Sequence, residues 1–245
     1  MTEFNEGGQG AGVYNRGSSP IIEHVLLSHN VATQDGGGML NTLSSHPELK
    51  QVRFQSNTAT NYGGGVCSTF SSDAVFEDVV FDDNTAKFGA GVYAQNSNPT
   101  MSRVLFHANI AEIGGGAYSV GGNMIFKNVI FVDNEALQGG AAGHFSQSAP
   151  QYINATFSAN HANTDGGAMY NKDSSPVVTN SLFWGNTADT QGAEIFNTSG
   201  TSTPVVSFSA LETDPGGSNN IVLSGIRPAQ HTTIFIGVLH RTDTS

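Results

Sequence analysis

Four residues whose types suit acid–base chemistry fall at related places in this sequence. Asp82 and Asp83 follow Phe81, His107 follows Phe106, and Asp133 lies two residues after Phe131. If the chain coils once between successive Phe residues, Asp83 and Asp133 occupy one position two coils apart. Parallel strands repeat at about 4.8 Å, so their separation is roughly 9–10 Å. That is near the upper end of the spacing at which an inverting glycosidase holds its acid and base around a water. His107 lies between them, and Trp184, one residue after Phe183, would stack on a sugar ring further along. A polysaccharide hydrolase is therefore the chemistry this set supports. The competing reading is a solvated polar face with aspartates near a turn.

A lyase is a poorer fit. It needs a Lys or Arg base and, as a rule, a carboxylate cage for Ca²⁺. Lys87, Arg103 and Lys127 are the nearby bases, and none lies in a dense acidic cluster. GGQGAG at 7–12 resembles a phosphate loop in composition only, since no Lys and no helix pattern follow it. His144 and His161 lack partner ligands at metal spacing and read as surface histidines. Cys67 reads as a small packed residue. No metal and no cofactor is expected.

Composition narrows the classes further. Charged residues are 12 % of the 245, about half the usual share, and the net charge is −11 with 9 Lys+Arg. A nucleic-acid binder would need a basic face to meet phosphates. No apolar run approaches the roughly 18 residues of a membrane helix. One cysteine excludes an internal disulfide framework. The N-terminus has neither the basic start nor the apolar run of a signal peptide.

The elements that would position these residues are repeats. LSHNVA, FQSNTA, FDDNTA, FHANIA, FVDNEA, FSANHA and FWGNTA recur along the chain. Their asparagines are Asn30, Asn57, Asn84, Asn109, Asn134, Asn160 and Asn186, with spacings of 25–27. Leu27, Phe54, Phe81, Phe106, Phe131, Phe157 and Phe183 stand three residues earlier. An alanine lies two residues after each Asn, and a glycine cluster follows. A degraded copy places Leu211 and Asp214 where Phe and Asn are expected.

Five residues before the Phe position lie Ile22, Leu49, Phe76, Met101, Phe126, Tyr152 and Val178, all apolar. Alternation holds from two residues before the Phe onward but fails earlier, which marks a corner rather than one straight strand. The predicted corner residues are His24, Gln51, Asp78, Arg103, Asn128, Asn154 and Asn180. No i, i+3, i+4 pattern appears, so each repeat reads as about three short strands joined by corners. A leucine-rich repeat has a similar period, but glycines stand here where its convex segment would begin. The expected fold is all-β: a single-stranded parallel β-helix of about eight to nine coils of 25–27 residues. Stacked coils would place Phe on Phe and Asn on Asn.

The alternation of F-x-x-N with G-G-A-[ILV], as in FSANHANTDGGAM at 157–169 and FVDNEALQGGAA at 131–142, resembles the polymorphic outer-membrane protein repeat. The resemblance covers about residues 5–214. GAGV at 89–92 and GAEI at 191–194 depart from it by losing a glycine. It implies a right-handed β-helix of a bacterial cell-surface or secreted protein, serving adhesion or display, often as an autotransporter passenger. Its ligands would be carbohydrate or a host-surface molecule, with no membrane insertion in this segment. Residues 1–214 are expected to form the repeats, entered in mid-coil as in a fragment, and 215–245 a last degenerate coil or cap. A bare N-terminal coil would also favour end-to-end self-association.

Overall fold

The computed structural model describes residues 2–3, 6–198, 201–212 and 221–222. They form short parallel strands wound into a solenoid, with no helix among them. Four strand ladders run along it. The leading sheet has eight strands, from Ile21–Glu23 to Val205–Ser207. The phenylalanine sheet has ten, including Arg53–Gln55, Val80–Asp82, Leu105–His107 and Ile130–Val132. The post-glycine sheet has eight, from Val13–Arg16 to Ile195–Asn197. Between the last two lies a short ladder in two parts, of three and four strands, linked through isolated bridges at Thr85.

The repeat therefore makes four strands, not three. The extra one follows the ladder Asn and is as brief as Thr58–Ala59, too short to leave a periodic signature. Every pairing among the described strands is parallel, and the phenylalanine ladder runs in register through Phe54, Phe81, Phe106 and Phe131; the register shifts once, between Ala136 and Gln138 against His161–Asp165 in the short ladder.

Corners come from single residues in the left-handed region. His24, Gln51, Asp78, Arg103, Asn128, Asn154 and Asn180 all have φ between 52° and 55°, at the positions read from the broken alternation. A second corner, just before each ladder Asn, carries Asp83, Ala108 and Asp133 at φ 51–55°. The third corner is the glycine cluster. A Cβ on Gly63, at φ +63°, would lie 2.3 Å from the Val66 carbonyl oxygen, and one on Gly65 would lie 2.8 Å from the Phe81 ring. The first glycine is needed for its conformation and the third for the ring beneath it.

Inside, the Phe54–Phe81–Phe106–Phe131–Phe157–Phe183 rings stack at 4.5–5.0 Å with planes within 11°. Phe76, Phe126 and Tyr152, from the leading sheet, meet that column edge-on. The post-glycine sheet closes the core with Met39, Val66, Val92, Ala117 and Met169. Leu211 takes the Phe position in the ninth coil and is fully buried. The strand Ile221–Val222 pairs with Ala210–Leu211 and so extends the stack; the rest of the expected cap lies outside the described residues.

Candidate functional site

The phenylalanine sheet alternates inward and outward residues, so the neighbours of each Phe face solvent. Register places Gln55, Asp82, His107 and Val132 in one outward row. Asp83 and Asp133 do not join it. They sit at the adjoining corner, where their N–H groups donate to the carbonyls of His107 and Ser158 in the next coil. The structure thus separates the four candidates into two positions, Asp82 and His107 on the strand and Asp83 and Asp133 at the corner.

Asp82 is the centre of the patch. One carboxylate oxygen pairs with the Arg53 guanidinium; the other lies 2.6 Å from Nδ1 of His107. Partial burial pushes this carboxyl up, but the His107 and Arg53 hydrogen bonds and charges together outweigh that and hold it below its usual value. Nε2 of His107 lies 3.9 Å from an Asp133 oxygen. Asp83 accepts a 2.9 Å hydrogen bond from the Ser56 hydroxyl. Each contact joins one coil to another, so the charges act as rungs. A glycosidase acid must instead carry its proton near neutral pH, which requires a raised pKa. Asp35 is raised by burial, but it precedes the Gly36 corner and bridges to Tyr62, away from this patch. Trp184 is only 4 % exposed, so its ring does not present an open face to a sugar.

A second charged network flanks the first corner. Arg103 donates from Nε to Asp78 at 2.6 Å and also pairs with Glu77, which Lys50 approaches at 4.0 Å. Among the described residues no group of three or more His, Cys, Asp or Glu is placed to hold a metal ion.

The asparagine ladder is continuous. Each amide Nδ2 donates to the Oδ1 of the next coil at 2.8–3.1 Å, from Asn30 through Asn57, Asn84, Asn109, Asn134 and Asn160 to Asn186. The same nitrogen reaches back to a carbonyl, as Asn109 does to Phe81 at 3.0 Å. The same oxygen also accepts the preceding coil's Asn N–H, as from Asn84 at 3.0 Å.

His144 corrects the surface reading. It stands in an inward row of the post-glycine sheet with Asn41, Ser68, Ala94, Ser119 and Asn171, and is fully buried. Nδ1 contacts the Ser119 hydroxyl at 2.8 Å and Nε2 the Tyr152 hydroxyl at 2.9 Å. Burial lowers its pKa to about 3, so the ring is neutral. With no solvent access, this Ser–His pair is packing rather than a nucleophile and base. His161, by contrast, bonds Thr187 on the surface at 2.8 Å. Cys67 is buried, as expected, and burial raises its thiol well above the ordinary value.

Sequence reasoning missed another ladder with a legible signal. Ser45, Ser72 and Ser97 are buried at the fourth corner, each hydroxyl accepting the N–H of the preceding coil's equivalent residue. Six of the eight prolines, Pro20, Pro47, Pro99, Pro150, Pro176 and Pro204, stand two residues after this position. A Ser-x-Pro recurring at the repeat period marks that corner. Also missed was an outer aromatic row on the post-glycine sheet, where Tyr93, Tyr118, Phe145, Tyr170 and Phe196 pack in sequence along the axis.

Neither the curated proteins nor the solved structures contain a significant match to this chain. A family model does match, over residues 3–157, under the description "Right handed beta helix region". That span holds five of the seven Phe–Asn repeats and most of each ladder, and by it the chain belongs to the right-handed β-helix family.

Proposed function

We propose that this chain is a non-enzymatic β-helix module of a secreted or cell-surface bacterial protein, adhesin-like or a structural stalk or passenger segment, of the polymorphic outer-membrane protein type. The observation that carries the reading is the condition of Asp82. Arg53 and His107 hold it ionised, which suits an inter-coil rung and not a proton donor. The Phe–Asn and glycine motifs that prompt the family likeness are all used by the ladders, so the repeat needs no substrate to explain it.

The rival is a polysaccharide hydrolase or lyase using Asp82, Asp83, His107 and Asp133. It has one observation in its favour, the placing of His107 between two carboxylates. Purified protein incubated with a panel of neutral and acidic glycans separates the two. The proposal expects no cleavage, and no change in melting temperature in Asp83→Asn/Asp133→Asn, because Asn also tolerates left-handed corners. Cleavage by the parent chain that the double variant loses would establish the enzyme.

A further inference from the structure

The corner that joins the post-glycine sheet to the leading sheet carries an outer series of hydrogen bonds. From Ser19 to Asn123, the side chain at one place in this corner accepts the N–H of its counterpart in the next coil. Asn98 accepts from Asn123 at 3.0 Å, and Asn123 from Ala149 at 2.9 Å. The series lapses at Ala149, whose methyl group is no acceptor, and the Ser175 N–H turns instead to the Ser148 carbonyl at 3.1 Å. It resumes at Ser175, whose hydroxyl accepts the N–H of Thr203 at 3.1 Å.

Corner length changes at the same place. Three residues separate His144 from buried Ser148, two separate Asn171 from Ser174, and four separate Asn197 from Ser202, although the strands they leave are in register. The short corner at Asp173 is therefore recessed between two longer ones. A truncated side chain and a short corner together open a notch of about 480 Å³, lined by Gln147, Ser148, Ala149, Asp173, Ser175 and Thr201. That volume is within the roughly 300–1,000 Å³ of small-ligand sites.

We infer that this notch binds a neutral saccharide unit. A carboxylate offers about four acceptor positions, and the Thr201 hydroxyl takes one of those on Asp173, at 2.5 Å. The Gln147 carboxamide both donates and accepts, and the Ser175 and Thr201 hydroxyls rotate to either role. Adjacent hydroxyls on a sugar ring need such mixed partners side by side. Ala149 supplies a small apolar surface for the ring's C–H groups. Among the described residues no Lys, Arg or His lines the notch, and Lys172, beside Asp173, lies over the Phe145 ring. An anionic sugar, phosphate or sulfate would meet a carboxylate in a chain of net charge −11. No aromatic ring lines the notch either, so a flat heteroaromatic ligand has nothing to stack on. The inference rests on the surface-module reading for its biological role, and names the ligand class of that module.

NMR titration of the isotope-labelled intact chain with galactose, mannose, glucose and N-acetylglucosamine tests it, with glucuronic acid for contrast. At least one neutral sugar should shift the amides around Ala149, Asp173 and Ser175, with a dissociation constant of about 0.1–10 mM, and glucuronic acid should not. Asp173→Gly should weaken binding by about tenfold or more. Gly17 and Gly121 hold the same corner place at φ 59° and 64°, so this variant keeps the fold. Ala149→Asn places in the notch the residue found at Asn98 and Asn123, and should abolish the shifts without lowering the melting temperature. Asn96→Gly, at the same corner three coils earlier, should bind as the parent does.

Binding by none of the neutral sugars, shifts away from the notch, equal binding of glucuronic acid, or indifference to both Asp173→Gly and Ala149→Asn would overturn the inference. Failure of binding would leave the non-enzymatic reading intact. Glycan cleavage that persists in Asp173→Gly, beside sugar binding that this variant loses, would refute that reading and uphold the notch.

Discussion

Each ladder asparagine serves several backbone and side-chain partners at once. Asn109 donates to the Phe81 carbonyl and to Asn134, and accepts from the N–H and the amide of Asn84. Asn109→Leu fills the space but leaves those buried groups without partners, at about 1–3 kcal/mol for each group orphaned. Thermal or urea unfolding should show a loss of at least that size; an unchanged melting temperature would mean that the ladder is not stabilising. His144 makes a pH-dependent contribution instead. Its folded pKa of about 3 is below the ordinary value of 6.5, so below pH 6.5 the unfolded chain takes up a proton that the folded chain refuses. Stability is full above about 6.5 and falls as the pH drops toward 3, by up to a factor of ten in the unfolding constant per unit. His144→Asn, matching Asn41 and Asn171 in the same row, should flatten the slope between pH 6.5 and 5, above the range where carboxylates titrate.

At the scale of the element, the corners decide which parts of the fold could be read in advance. The Phe position recurs with only Leu27 and Leu211 as exceptions and the Asn recurs from Asn30 to Asn186, so their ladders were legible, and the broken alternation placed the first corner on the right residues. The fourth corner was not read because its recurring unit, Ser-x-Pro, uses common residues and lapses at Ala74 and Met124. The candidate patch was legible as a set but not as a geometry. Asp82 and Asp83 differ by one residue, and that one step carries the chain from strand to corner. His144 had no repeat signal, since Asn, Ser, Ala and His all fill its row and only burial unites them. The glycine corner yields a sharp prediction. Gly63→Ala forces a side chain into φ +63° against a carbonyl at 2.3 Å, and should cost roughly 2 kcal/mol or more. Ser71→Ala, at an exposed corner, should cost far less in the same denaturation assay.

The whole molecule behaves as a one-dimensional stack, because each coil contacts its neighbours and little else. Opening should begin at the ends. In native-state hydrogen exchange the amides of Leu105–His107 and Ile130–Val132, with coils on both sides, should outlast those of Leu26–Ser28. Equal rates would point to a single cooperative unit. The stack also has a direction. Within the side-chain chain from Asn30 to Asn186, each amide gives one proton toward the C-terminal end and accepts from the N-terminal side, while its second N–H turns back to a carbonyl of the preceding coil, so the side-chain bonds polarise one another along one line. The line presents an acceptor at one end and a donor at the other. Two copies meeting by the same end would set like against like there, while opposite ends are complementary. Continuation of this ladder from one copy to the next is therefore head to tail, and a head-to-tail contact does not close on itself: the same asparagines that hold one molecule together would, if its ends were bared, favour a polar filament.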